Sequence, residues 1–225
     1  MTSYITPPRK VPHITTGDEA FRNKFRSWNL ADLSYVDINE YLKEKDVVLV
    51  PMASTEQHGP HLPLYTDTIT AVEVSARVSE QIGVFHTPPI WTGYSPQHMY
   101  GAGQGRGTIT VRAETLNNLM YDVARSLIHH GFNRVVFVNG HGSNIKVVDP
   151  VLRKLRYETN ALIGFVKPYM ERYTGILAGL MENPPEETPG WHSSELETSQ
   201  DMAWNDGLVR MERAVDTRAH TPVFL

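Results

Sequence analysis

The sequence predicts an α/β fold, a three-layer α/β/α arrangement around a central, mainly parallel sheet, and three observations lead there. Short runs rich in β-branched residues alternate with amphipathic stretches of helical period. Glycines close those stretches, and the motifs richest in His, Asp and Glu follow apolar runs. Alternating strands and helices make parallel pairs, because a parallel crossover needs a dozen or more residues and a helix supplies them.

Asp46-Val47-Val48-Leu49-Val50-Pro51-Met52 is nearly all apolar, as expected of a strand buried on both faces. Residues 68–82 carry Ile69, Val72, Ala76, Val78 and Ile82 at helical spacing and stop at Gly83, a C-terminal cap. A second strand is predicted over 84–90. Between 112 and 131, Leu116, Leu119, Met120, Val123, Leu127 and Ile128 fall on one face of a helix. A third strand over 134–138 leads into Asn139-Gly140-His141-Gly142-Ser143-Asn144 and a helix over 145–159, where Pro150 predicts a kink. A fourth strand is predicted over 161–166. The first 30 residues, rich in Pro, Thr and charge with weak periodicity, predict an extended arm of the kind that lies on a neighbouring subunit.

At 225 residues the chain has room for one sizeable core, and 1–225 is read as a single domain. With 21 Lys plus Arg against 25 Asp plus Glu and no basic stripe, no nucleic-acid partner is expected. The absence of cysteine excludes disulfides, a thiol nucleophile and Cys-ligated zinc, so any metal must be held by His, Asp and Glu. No stretch approaches the roughly 20 apolar residues of a membrane span, and the amino terminus has no signal-peptide core. A cytoplasmic protein is the expectation.

Ser54-Thr55-Glu56-Gln57-His58-Gly59-Pro60-His61-Leu62-Pro63, with Asp67, gathers carboxylates and imidazoles directly after the first strand. Such a donor set suits Zn, Mn or Fe(II). The plainer alternative is a polar turn with Asp67 as the N-cap of the next helix. His141 is either a loop histidine or a ligand whose flanking glycines let the backbone approach an ion. Further on, His192 and Glu195 are three apart, a usable acid/base-plus-ligand spacing, while Ser194 and Glu197 read as a capping box; both can hold at once. The glycine-rich run 101–107 lacks the strand and helix of a nucleotide-binding fingerprint and reads as an active-site loop. Ser95 has no nucleophile-elbow context, which disfavours a serine hydrolase.

In order, the 54–67 segment, the 139–144 loop, and His192-Ser193-Ser194-Glu195 with Glu197-Thr198-Ser199 resemble the creatininase (creatinine amidohydrolase) family over roughly residues 45–205. The 94–98 and 107–109 segments resemble it too. The resemblance implies a creatininase-like subunit, commonly assembled as a homohexamer, with two divalent metal ions that cleave small cyclic substrates. It implies that Glu56 and His141 hold one ion and His58 the other, that Asp67 bridges them, and that His192 is the catalytic histidine. In the creatinine-hydrolysing member a glutamate ligand occupies the position of Ser143, so Glu195 is expected to replace it around the second ion. Ser95 and Trp191 are expected to contact substrate, with His61, His98 and Arg106 beside or behind the pocket.

The implied chemistry is attack by a metal-bridging hydroxide on a carbonyl, with His192 protonating the leaving atom. A cyclic amide, opened at its C–N bond, is the first expectation. The alternative is a cyclic diketone opened at a C–C bond, as by a 3-dehydro-scyllo-inosose hydrolase in inositol catabolism, for which Gln97, His98, Tyr100 and Arg106 would suit a polyhydroxylated ring. Formamidopyrimidines and peptides are further family substrates. A different class of reading is a non-catalytic metal-binding assembly subunit.

Overall fold

The computed structural model describes residues 19–99, 105–168, 179–182 and 192–215. Four strands, β1 (Val47–Met52), β2 (Phe85–His86), β3 (Arg134–Asn139) and β4 (Leu162–Val166), form one parallel sheet in the order β2-β1-β3-β4. The helices are α1 (Glu19–Arg22), α2 (Tyr35–Tyr41), α3 (Thr66–Ile82), α4 (Ala113–His129), α5 (Ile145–Thr159) and α6 (Glu195–Asn205).

Alternation along β1 separates the two layers. Val48, Val50 and Met52 point with Phe85, Val135 and Phe137 into the larger core, which α4 closes with Leu116, Met120, Ala124 and Ile128 and α5 with Val148, Val151 and Leu155. Val47 and Leu49 point the other way with Val84 and Val138, against Val74, Val78 and Ile82 of α3. Helices therefore flank a sheet whose central strands are apolar on both faces, as the sequence predicts. α5 carries Pro150 within it, and α3 ends at Gly83, whose φ of +64° makes it a left-handed cap.

Two expectations need correction, and one alternative falls. The second strand stops at His86: Thr87 still donates to Leu49 O at 2.9 Å, but Pro88 and Pro89 have no N–H to give the sheet, and Ile90 then donates to Pro51 O at 2.9 Å. Residues 19–30 are not an extended arm. Phe21 and Phe25 are buried, Phe25 packs edge-on to Phe85 at 5.1 Å between ring centroids, and Trp28 leans on the same ring. Phe21, Phe25 and Trp28 stand four and three residues apart, a helical spacing, and burying each such ring contributes about 1.5–3 kcal/mol to holding the segment; residues 1–18 of the expected arm lie outside the described residues. Finally, Asp67 does not cap α3. The N-cap is Tyr65, and Asp67 sits in the first turn, fully folded into the helix.

β1 leads to β2 on one side and the chain returns to β3 on the other, so the order reverses between β1 and β3. In open parallel sheets this switch point, beyond the carboxyl ends of the strands, is where ligands bind. Met52 and Asn139, the last residues of β1 and β3, are paired in register there.

Candidate metal centre

Two of the polar segments singled out in the sequence leave this edge of the sheet. After β1 the chain delivers Glu56 and His58, after β3 it delivers His141, and the N-terminus of α3 inserts Asp67 between them. Tight packing holds the last two together: a Cβ at Gly140 would lie 2.0 Å from the Asp67 carbonyl oxygen, so only glycine fits. Asn139 and Asn144 brace the loop, Asn139 donating to His141 O at 2.6 Å and Asn144 to Asn139 Oδ1 at 3.0 Å. The loop asparagines are therefore scaffolding.

Among the described residues three groups of side chains could each hold an ion: Glu56, Asp67 and His141; His58, Asp67 and Glu197; and Glu56, His58 and His192. Asp67 faces two ways, with Oδ1 3.3 Å from His58 Nε2 and Oδ2 2.9 Å from His141 Nδ1. Glu56 Oε1 lies 3.3 Å from His141 Nδ1, and Glu197 Oε2 lies 3.6 Å from His58 Nε2. Two ligands about 2.1 Å from a tetrahedral ion stand about 3.4 Å apart, so most of these separations are ligand–ligand edges. Glu56 Oε2 is buried without a hydrogen-bond partner, and His58 Nε2 and Asp67 Oδ2 face only ionisable groups of the same cluster. Buried polar atoms seldom go unpaired, and here they converge on one place with the donor chemistry of a divalent ion.

The imidazoles are aimed by bonds behind them. His58 Nδ1 lies 3.1 Å from Glu56 O, and His141 Nε2 lies 3.0 Å from Tyr94 O and 3.1 Å from Ser95 Oγ. An N–H donated to a carbonyl leaves the opposite nitrogen as a lone pair for a metal. With no metal bound, electrostatics place a proton on that nitrogen instead. Burial disfavours the imidazolium of His58, yet Asp67, Glu197 and Glu56 outweigh it and push it up to about 10. His141 is likewise disfavoured by burial but raised to about 10 by Asp67 and Glu56. Asp67, despite burial, is held well below the usual carboxylate range by these two histidines, whereas burial pushes Glu197 up to about 7.

Protons on His58 and His141 thus balance the carboxylates when no metal is bound. That stabilisation is complete below their ordinary value near 6.5 and is lost as pH rises through about 10. Metal loading needs both imidazoles neutral. Adding Zn²⁺ to metal-free protein at pH 8 is expected to release about two protons per subunit from these groups, measured by indicator dye in weak buffer; no proton release would contradict this charge balance.

His192 stands at the edge of the cluster, its side chain 27% exposed, with Nδ1 3.6 Å from Glu56 Oε1. Its ring stacks on His98 at 4.2 Å between centroids. Burial, with His58 and His98 nearby, lowers its pKa to about 3, so near neutral pH it is a neutral imidazole able to accept a proton.

The structure brings Glu56, His58, Asp67, His141 and His192 together as the sequence anticipates. Glu195 does not join them. Its carboxylate accepts the Glu182 N–H at 2.8 and 3.1 Å, and Glu197 takes the place beside His58. Ser194 is the N-cap of α6, so Glu197 is the third helical residue and its Oε2 also accepts the Ser193 N–H at 2.6 Å. The expected capping box does not form, because the Ser194 side chain makes no cap bond and Glu197 accepts from the residue before the cap; the Ser194–Glu197 spacing was nonetheless the sequence signal at the missed residue. Ser95 is also corrected: it is fully buried, bonded to Ser54 and to the back of His141, and supports that ring where substrate contact was expected. Trp191 and Tyr100 lie outside the described residues. His61 is turned to Thr198 at 2.9 Å, His98 lies 3.4 Å from Glu56, and Arg106 is exposed.

Comparisons with known proteins find several similar chains. A 3-dehydro-scyllo-inosose hydrolase of Thermotoga maritima is 31% identical over 182 residues, 80% of this chain and 57% of that protein. A creatinine amidohydrolase of Pseudomonas putida is 33% identical over 181 residues, 76% of this chain and 68% of that protein. A mycofactocin precursor peptide peptidase of Mycolicibacterium smegmatis is 41% identical over 119 residues, 50% of this chain and 46% of that protein. The chain thus spans less than two thirds of the first and third of these relatives. A crystal structure of creatinine amidohydrolase matches with a TM-score of 0.73 at 29% identity, covering 86% of this chain and 78% of that one. A manganese form of creatininase matches at 0.72 and 29%, covering 85% and 78%. No described helix is long and apolar enough to cross a membrane. Residues 31–224 match the creatininase family (creatinine amidohydrolase), and with the three motifs meeting at one centre the chain belongs to that family of hydrolases.

Proposed function

We propose that this chain is a binuclear metal-dependent hydrolase of small cyclic substrates, in which Glu56, Asp67 and His141 hold one ion and His58, Asp67 and Glu197 the other. The observation that carries this reading is the position of Asp67, whose two oxygens face two different ligand histidines. Zn, Mn and Fe(II) all suit the donors. When bound, the ions supply a water acidified to hydroxide near neutral pH and a carbonyl polarised for attack.

The chain's own residues manage the protons. His192, neutral at rest, accepts a proton at Nε2 and returns it to the leaving atom. Glu56 Oε1, beside Nδ1, stabilises the imidazolium in between. The buried walls of Glu56, His58 and Asp67 keep bulk water from screening these charges. A cyclic amide cleaved at C–N is the first substrate class, supported by the similarity to creatinine amidohydrolase over 76% of the chain.

One observation favours a second substrate. Ser143, where the creatinine-hydrolysing relative is expected to carry a glutamate, accepts a hydrogen bond from the Gln97 amide at an exposed position. Neutral hydroxyl and amide groups suit a hydroxylated ring, so C–C cleavage of a cyclic diketone is the alternative, with the same histidine protonating the enolate carbon. Assays on a cyclic amide and on a cyclic diketone separate the two. Trp191 and a homohexameric assembly remain parts of the proposal carried by family resemblance.

The ligand assignment has its own test. Glu197→Gln is expected to lower bound metal from two ions towards one per subunit, while Glu195→Gln leaves two. Elemental analysis reads both, and the reverse pattern would restore Glu195 as the ligand.

A further inference from the structure

We propose that Gln57 is the residue that sets the tautomer and orientation of His192, keeping its proton on Nδ1 and its lone pair on Nε2. This rests on the catalytic role proposed for His192 above. Gln57 lies between the two metal-facing residues Glu56 and His58, and its own side chain reaches a pair of stacked histidines at the rim of the cluster. Its amide nitrogen is 3.1 Å from His192 Nε2 and 3.1 Å from His98 Nδ1.

The direction of these bonds is fixed by a backbone group. Gln57 Oε1 accepts the Gly59 N–H at 3.1 Å. A backbone N–H can only donate, so the oxygen of the amide must face Gly59 and the NH₂ must face the histidines. Gly59 has a φ of +65°, a conformation that favours glycine, and a Cβ there would press on His61 Nδ1 at 3.3 Å. The backbone of Gln57 is itself anchored, its N–H donating to Thr108 Oγ1 at 3.1 Å. The side chain therefore has one orientation with every polar group satisfied.

With two hydrogens to give, the NH₂ donates one to each ring. His192 Nε2 and His98 Nδ1 must then both be lone pairs, and the hydrogens of the neutral rings sit on His192 Nδ1 and His98 Nε2. Both of those nitrogens face the same atom, Glu56 Oε1, at 3.6 and 3.4 Å. Amide and carboxylate thus impose the same tautomer from opposite sides. The arrangement has the logic of a carboxylate–histidine dyad, with a carboxylate behind Nδ1 and chemistry at Nε2. The amide bond to Nε2 is neutral, worth about 1 kcal/mol, so an incoming water or substrate can replace it. Gln57 is a positioning residue in this scheme.

The test is long-range ¹H–¹⁵N NMR on the zinc-loaded full chain labelled at histidine, with the His192 signals assigned by their loss in His192→Ala. His192 is expected to show an unprotonated Nε2 and a protonated Nδ1. In Gln57→Glu, where only acceptors face the ring, the proton is expected to move to Nε2, with the zinc content unchanged. Gln57→Ala serves as a second variant, expected to give a mixture of both tautomers. A protonated Nε2 in the unsubstituted protein, or an unshifted His192 in both variants, overturns the proposal. Loss of zinc in both variants also overturns it, by making Gln57 a scaffold for Glu56 and His58. Failure of the hydrolase reading would instead show as absent turnover with the tautomers as described.

Discussion

Replacing Asp67 with alanine is expected to empty both metal positions and to lower hydrolysis by roughly 10³-fold or more, since losing even one preorganised electrostatic group costs about 10²–10³. The size of the effect follows from geometry. Asp67 is 4% exposed, and its two oxygens approach His58 and His141 separately. Removing it takes one donor from each ligand group at once. It also leaves Glu56 and Glu197 flanking a hole, with two imidazoles that lose the carboxylate chiefly responsible for raising their pKa. Elemental analysis and the fold, followed by circular dichroism, separate loss of metal from loss of structure. Retention of one ion per subunit would show that Asp67 belongs to one site only.

His192→Ala is expected to behave differently. The rate should fall by about 10²–10⁴, the usual contribution of a positioned acid or base, while both ions stay bound. His192 sits at the rim, and the two ligand groups that share Asp67 are complete without it. Burial keeps the ring neutral at rest, and the imidazolium formed on taking a proton gives it up readily to the leaving atom. Steady-state rates beside metal content decide the matter. Loss of metal together with activity would make His192 a ligand, the role allowed by its place in the group with Glu56 and His58.

Which parts of this were legible in the sequence follows from whether a property is local. β1 could be read because all six of its residues are buried, leaving an uninterrupted apolar run. Glu56, His58 and His141 could be read because short polar motifs directly after such runs lie at the ligand-binding edge of a parallel sheet. Phe21, Phe25 and Trp28 could not, since they dock through a ring cluster with Tyr41 and Phe85 that is far apart in the chain. Ser95 looked available for substrate, but the fold turns it to the rear of His141.

The confusion of Glu195 with Glu197 is of a different kind. Residues two apart on a helix stand about 200° apart around its axis, so the side chain that faces the centre depends on how α6 docks. Thr66, at the start of α3, donates to Asp201 at 2.6 Å, and Asp201 is one turn beyond Glu197 on the same face. That buried contact, invisible in a linear motif, fixes α6 with Glu197 inward and Glu195 towards Glu182.

The central claim is a shared carboxylate between two ions, and anomalous diffraction from crystals of the zinc-loaded protein tests it most directly. Two peaks per subunit are expected, one on either side of Asp67, the first contacted by Glu56 and His141 and the second by His58 and Glu197. A single peak, or two peaks of which Asp67 touches only one, would contradict it.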